Sequence, residues 1–479
     1  MEEKNTAIQW LDSQAEELAA LSDKIWDCPE LRFEERTAAR LQCGLLERYG
    51  FEVTEGLAGI PTAFCGKYGQ GKPVIAFLGE FDALPGMSQQ AGASEKRPAD
   101  GMTAGHGCGH NLLGTGSLGA AAAAAQYLRG TGREGTVVYF GCPAEEGGSG
   151  KAFLARAGVF RDVDAALSWH PGAFNRVWSA SSLANVQVTY RFSGVSAHAA
   201  VSPHMGRSAL DALTLMNVGV QFLREHIVPE ARVHYAVSET GGLAPNVVQD
   251  KAEAIYLIRA PRNDQVQEIF ERVNLVARGA AMMTETQVEI KMDKACSNLL
   301  VNQTLEKVLY GNLNAIERPV YTQEDYDYGA AIQGTLPKRQ TAAAMLGRYL
   351  GAEGREQGEL YDQKSLYSFV APYFPSEKPI PGSTDVGDVS WCCPTSQFIA
   401  VTCAGGTVEH SWQMVAQGKS GAAHKGLLYA AKVLAASAID LLENPELLRE
   451  AREEFLERAG EGYRPLLTPD VQPAVPAEK

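Results

Sequence analysis

Between Leu183 and Ala295 the chain runs through an ordered pattern that few folds can satisfy. Val186-Gln187-Val188-Thr189-Tyr190 alternates apolar and polar residues, as a half-exposed strand does. An amphipathic helix is expected from Ser208 to His226, then strands near Arg232 to Val237 and Ala252 to Ile258. A second helix, Asp264 to Met283, leads into Gln287-Val288-Glu289-Ile290-Lys291. The order β-α-β-β-α-β is that of the split βαβ, ferredoxin-like unit.

The flanking sequence is of another kind. Ile8, Leu11, Leu18, Leu21, Ile25, Leu41, Leu45 and Leu46 recur at helical spacing over the first fifty residues. Then short apolar runs, Pro73 to Leu78, Thr136 to Phe140 and Val163 to Trp169, alternate with a small-residue helix from Leu112 to Leu128. Strands alternating with helices predict an α/β domain with a mostly parallel sheet. After Asn302 this character returns, with a strand at Phe398 to Val401 and a long helix from Ala423 to Leu442. A chain of 479 residues exceeds one ordinary core. The expected organisation is a catalytic domain in two parts, 1–182 and 296–479, interrupted by an inserted α+β lid of residues 183–295. The tail from Glu443 onward reads as a charged helix ending in a Pro-rich stretch, with no assigned role.

Charge narrows the partners. A net charge of −14 argues against nucleic acid and anionic membrane, which both attract positive surfaces. The longest apolar-looking run, Leu118 to Tyr127, is too short to span a bilayer. Met1 to Trp10 contains no apolar signal-like core. Nine cysteines in so long a chain do not form a small-scaffold disulfide pattern, so a reducing cytoplasm is expected.

Four segments carry chemistry, three of them just past strand ends, where a parallel sheet places its ligands. Gly105-His106-Gly107-Cys108-Gly109-His110-Asn111 offers a thiolate and an imidazole from one glycine-rich loop. Cys142-Pro143-Ala144-Glu145-Glu146-Gly147-Gly148 follows a strand. In an extended segment its two glutamates would point to opposite sides, one towards a metal and one towards water or substrate. Ser168-Trp169-His170-Pro171 ends another strand, and Gly405 to Trp412 contains His410, with His424 close behind at the last helix. Either of those two histidines can be a ligand. Alone, the first segment reads as readily as a turn with a buried cysteine, the second more readily as a solvated acidic turn, and the third more readily as a structural histidine. Together they supply a thiolate, imidazoles, a carboxylate and one spare carboxylate, which suits a two-metal hydrolytic site. The spare carboxylate would take the proton of water and pass it to the leaving group.

Phe81-Asp82-Ala83-Leu84-Pro85, Cys108-Gly109-His110 and Pro143 to Gly148, in that order, resemble the aminoacylase/carboxypeptidase family of metallopeptidases, the M20 peptidases. The cysteine motif resembles its amidohydrolase branch, which includes auxin-conjugate and hippurate hydrolases. Gly107 to Leu112 and Gly382 to Trp391 narrow the likeness further within that branch. The resemblance implies Cys108, His110, Glu146, His170 and His410 as ligands of two divalent ions, zinc or manganese. It implies Glu145 as general acid and base, and Asp82 as the carboxylate orienting a ligand histidine. From the lid it implies His198, stabilising the oxyanion of a neighbouring subunit, and Asn246 and Arg259, holding the substrate carboxylate. The reaction implied is hydrolysis of an N-acyl amino acid, with p-aminobenzoyl-glutamate foremost and dipeptides as runners-up.

The match has departures. Asn111 stands where the branch has Asp, and the final ligand sits in His410-Ser411-Trp412 and not before a proline. His410 is preferred over His424 because it follows the strand ending at Val401. Two other classes compete. One is a thiol hydrolase with Cys108 as nucleophile and His106 or His110 as base. The other is a non-catalytic subunit of a hydrolase complex, whose signature would be a missing ligand. A homodimer is expected, with a hetero-oligomer as the alternative.

Overall fold

The computed structural model describes residues 2–336 and 341–476. Its main sheet has eight strands in the order Glu52–Glu55, Phe64–Gln70, Gly135–Cys142, Val74–Glu80, Ala165–Gly172, Thr395–Val401, Phe174–Val177 and Tyr367–Val370. The four central strands, from Gly135–Cys142 to Thr395–Val401, pair in parallel. They read as continuous apolar runs because helices cover both faces. The outer pairs at the Glu52–Glu55 side are antiparallel. The sheet is thus the large, mostly parallel α/β sheet that the apolar runs predict.

The helix His110–Thr131 is buried along nearly its whole length, and its small residues let it lie close on the strands. Gly114 sits so near the strand Val74–Glu80 that a Cβ there would be 2.6 Å from the Glu80 carbonyl. A Cβ on Gly116 would fall 2.8 Å from the Trp169 ring. On its other side the helix packs along Gly421–Glu443, which is also alanine-rich.

Residues 184–296 form a separate four-stranded antiparallel sheet, in the order Arg232–Glu239, Lys251–Ala260, Ala184–Ser193, Gln287–Cys296. The helices Ala209–Leu223 and Asn263–Thr284 pack on it and on each other. This strand order is what a split βαβ pair requires, because each returning strand must leave a gap for the other unit's strand.

Several details differ from the sequence reading. The first fifty residues form three helices, Glu2–Ser13, Ala15–Trp26 and Arg36–Arg48, broken by the loop of residues 27–35. The first lid helix stops at Leu223 and tightens into a 3-10 turn over Arg224–His226. Most important for the site, the two glutamates do not lie in an extended segment. They open a single helical turn, Glu145–Gly148, entered through Ala144 at a left-handed φ of 61°. Their divergence therefore comes from the rotation of a helical turn and not from strand alternation.

Candidate metal centre

The ends of the central strands bring the chemistry together. The strand Val74–Glu80 ends in Glu80-Phe81-Asp82, a spacing of two that lets both carboxylates address one neighbour. That neighbour is His110, the first residue of the helix His110–Thr131, set in place by Gly109 at a left-handed φ of 77°. A side chain on Gly109 would meet Pro171 at 2.9 Å, so both its conformation and its space call for glycine. The Nδ1 of His110 is 2.9 Å from Asp82 Oδ1, and its Nε2 is 3.2 Å from Glu80 Oε2. Asp82 also accepts the Glu146 backbone N–H at 2.9 Å, tying the helical turn to the histidine.

Cys108 Sγ lies 3.4 Å from His170 Nε2. The other nitrogen of His170, Nδ1, is 2.8 Å from the Pro171 carbonyl and donates to it, which leaves Nε2 free to face the thiol. The final loop is pinned by the His410 backbone N–H donating to the Gly107 carbonyl at 2.8 Å. His410 has a left-handed φ of 58°, an unfavourable conformation for a histidine, and its Nε2 reaches Glu146 Oε2 at 3.2 Å. His424 is elsewhere occupied, 2.8 Å from Asp23 through Nε2.

Three groups of donor atoms result, each with its atoms within 4.8 Å of one another: Cys108, His110 and His170; Cys108, Glu146 and His410; and Glu80, His110 and Glu145. His110 Nε2 and Glu146 Oε1 are buried without a hydrogen-bond partner. Buried polar atoms of this kind are rarely left unpaired. Around them stand the carboxylates of Glu80, Asp82, Glu145, Glu146 and Asp385, and the buried Lys151 pairs with two of these, Glu80 and Asp385. An excess of negative groups, orphaned lone pairs and a mixed sulfur, nitrogen and oxygen donor set fit divalent metal ions of the zinc type.

The electrostatics follow the same layout. Burial, with Glu80 and Glu146 nearby, pushes the Glu145 carboxyl well above the ordinary carboxylate range. Burial acts on Glu146 in the same direction, but the hydrogen bond from His410 and the charge of His110 outweigh it and bring it to about 2. Burial and then Glu146 raise the Cys108 thiol. His106, buried and beside His110, falls to about 3 and is bonded through Nε2 to the Ile25 carbonyl at 3.1 Å. The thiol-nucleophile reading therefore loses its footing. His106 is committed through Nε2 to the Ile25 carbonyl and is not placed as a base for Cys108, and a thiol nucleophile would leave Glu145, Glu146 and His410 without a role.

The lid residues stand apart. His198 is exposed, and its Nδ1 accepts from the Ala200 and Val201 N–H groups of its own loop. Asn246 is exposed, its carbonyl accepting from the Ala199 N–H. Arg259 is half-buried in the strand Lys251–Ala260, in register with Arg232 and Asn185. Among the described residues, no hydrogen bond or ion pair joins these three to the donor cluster. A cleft of about 710 Å³ lies between the lid sheet, the Gly147-Gly148 turn and residues 470–474, and none of the donor residues lines it.

The sequence reading missed three groups here. Glu80 closes an apolar run and was visible only as the first acid of an E-x-D pair. Lys151 carries no motif. Glu35 looks like an ordinary loop acid, yet its Oε1 accepts from the Phe33 and Ala144 N–H groups at 2.8 and 3.0 Å. It thereby ties together two left-handed residues, Phe33 in its own loop and Ala144 at the entrance of the glutamate turn.

Known proteins are similar to this chain in sequence and in fold. A model of peptidase family M20/M25/M40 matches residues 76–408. The chain is 48% identical to the B component of p-aminobenzoyl-glutamate hydrolase of Escherichia coli, over 93% of each chain. It is 29% identical to the Xaa-Arg dipeptidase of Mus musculus, over 94% of this chain and 92% of that one. Its fold is similar to that of a dinuclear metal-binding M20 peptidase from Bacillus subtilis, with a TM-score of 0.56 and 18% identity over 90% of this chain and 99% of that one. With a family model spanning most of the chain and so similar a relative along nearly all of it, this chain belongs to peptidase family M20/M25/M40 and is a metal-dependent hydrolase of amide bonds.

Proposed function

We propose that the chain hydrolyses the amide bond of N-acyl amino acids, p-aminobenzoyl-glutamate foremost, with two divalent ions held by Cys108, His110, Glu146, His170 and His410. The observation that carries the two-ion reading is the pair of donor groups sharing Cys108, one completed by His110 and His170, the other by Glu146 and His410. Cys108 is common to both groups and would help hold the ions, and thiolate with imidazole favours zinc over manganese. Bound there, divalent ions polarise a carbonyl oxygen and acidify a water.

The chain's own residues do the rest. Asp82 holds His110 by Nδ1 so that Nε2 faces inward. Glu145, its affinity for a proton raised by burial and neighbouring acids, takes the proton of the attacking water and returns it to the leaving nitrogen. His198 would stabilise the oxyanion, and Asn246 and Arg259 would hold the substrate carboxylate. Since no hydrogen bond or ion pair among the described residues joins these three to the donor cluster of their own chain, a second chain supplying them is the simplest arrangement. Residues 183–295 then act as lid and dimerisation unit between catalytic parts 1–182 and 296–479. The Escherichia coli relative, named as one component of its hydrolase, supports a hetero-oligomer as the alternative to a homodimer. The dipeptidase relative supports dipeptides as the second substrate class. Nine unpaired cysteines support a cytoplasmic location, and no helix among the described residues is long and apolar enough to cross a membrane.

The test is metal content together with release of glutamate from p-aminobenzoyl-glutamate by wild type and Glu145→Gln. Retained metal with turnover reduced roughly 10²- to 10⁴-fold supports the mechanism. Unchanged turnover in the variant overturns the role of Glu145. Metal without turnover by the wild type moves the substrate to other acyl amino acids or dipeptides.

A further inference from the structure

Lys151 is a cation with 0% of its surface exposed, and neither the ligand set nor the proton transfer uses it. Its Nζ lies 2.6 Å from Glu80 Oε1 and 2.6 Å from Asp385 Oδ1. Its backbone N–H donates to Asp385 Oδ2 at 2.9 Å, so lysine and aspartate are fixed to each other at two points. This gives Asp385, in the Gly382 to Trp391 segment, a structural reason to be there. It anchors a buried lysine against Glu80.

Only one oxygen of Glu80 is taken up by Lys151. The other, Oε2, is 3.2 Å from His110 Nε2, and the Glu145 carboxylate belongs to the same close group. His110 is fully buried, its Nδ1 is committed to Asp82, and Nε2 has no hydrogen-bond partner. An imidazole that gives the Nε2 lone pair to a metal carries no proton there. A carboxylate oxygen at that distance would then oppose lone pair to lone pair unless a cation sits between them.

We propose that Glu80 is a further ligand of the metal held by His110, binding through Oε2 while Lys151, fixed by Asp385, holds Oε1. The inference rests on the metal-hydrolase reading given above. Lys151 makes Glu80 a one-oxygen ligand and turns that oxygen towards His110. With Glu80 filling this position, the Glu145 carboxylate is left for the proton. The competing role for Glu80 is that of a counterion to Lys151 without contact to metal.

The experiment compares wild type with Glu80→Gln and Glu80→Asp. The quantities read are zinc and manganese retained per chain against graded chelator, and the visible spectrum of the cobalt(II)-loaded protein. A folded Glu80→Gln is expected to hold one ion at least about tenfold more weakly, with a changed cobalt spectrum. If Glu80→Gln does not fold, Glu80→Asp, which keeps the charge on a shorter arm, is expected to show the same weakening and a shifted spectrum. Folded variants that bind both ions as wild type does, with the wild-type cobalt spectrum, overturn the assignment of Glu80 alone. A weaker affinity with an unchanged spectrum also overturns it, since that is the mark of a group acting from outside the coordination shell. A wild type that retains no metal overturns the reading of the site, and this proposal with it.

Discussion

Asp82 shows how much one buried side chain can organise. One oxygen faces His110 Nδ1 and the other accepts the Glu146 N–H, so a single carboxylate sets the aim of two candidate ligands from different elements. Asp82→Asn keeps the size but can orient the imidazole the wrong way. The expected loss is about 10- to 100-fold in metal affinity, read by chelator competition, with the fold intact by circular dichroism. A second buried acid, Glu306, lies outside the site and faces Tyr373, whose hydroxyl donates to it at 2.7 Å. Burial raises it from 4.5 to about 7. A raised folded-state value means the folded protein prefers the protonated acid, so this favourable contribution is complete below about pH 4.5 and is lost as pH rises towards 7. The size at stake is about 3 kcal/mol, from roughly 1.4 kcal/mol for each tenfold change in proton affinity. Urea melts at pH 5 and pH 8 should therefore show Glu306→Gln gaining on wild type at the higher pH, and equal differences at both would refute the burial argument.

At the scale of elements, the helix His110–Thr131 couples the stability of the core to the site, because the residue that opens it is also a ligand candidate. Gly114→Ala would gain about 1 kcal/mol of helix propensity. Against that, its Cβ would lie 2.6 Å from the Glu80 carbonyl, a backbone atom that cannot swing away. Overpacking of this kind costs about 1–3 kcal/mol, so the expected net result is a less stable protein. Metal should be held more weakly as well, since His110 and Glu80 would be pushed apart, and calorimetry with chelator titration checks both. The physical reasons for this helix also say what the sequence can reveal. Buried strands read as unbroken apolar runs and the close-packed helix as a run of alanine and glycine, so both were legible. Phe174–Val177 and Tyr367–Val370, four residues each, are too short to carry a period and were not. Cys108, His110, Glu146 and His410 stand in or beside glycine-rich segments and His170 in a strand, and it was the family resemblance that singled these five out as expected ligands. Lys151 and Asp385 were not singled out, because 234 residues, the whole lid among them, separate the two.

For the whole molecule, the proposal to test is that lid residues with no bond to the donor cluster of their own chain serve the cluster of a second chain. The lid offers the means. The strand Arg232–Glu239 is an unpaired sheet edge with Tyr235 and Val237 exposed, and the neighbouring helix Ala209–Leu223 exposes Leu215 and Val218, with Phe222 near its end. An open edge beside an apolar helix face is the surface that a second copy can cover by extending the sheet. In a two-fold dimer each lid could then approach the other chain's cluster. Mixing two inactive chains tests this directly. Glu145→Gln lacks the proton carrier but has an intact lid, whereas His198→Ala has an intact cluster and a defective lid. If His198 serves the partner's site, each mixed dimer holds one site with both groups intact. Random pairing makes half of all dimers mixed, so about a quarter of wild-type activity should return after the two are unfolded together and refolded. If His198 serves its own chain, every site in the mixture lacks one group and no activity returns. The second result would put lid closure within one chain in place of exchange between two, and the lid edge would then need another partner.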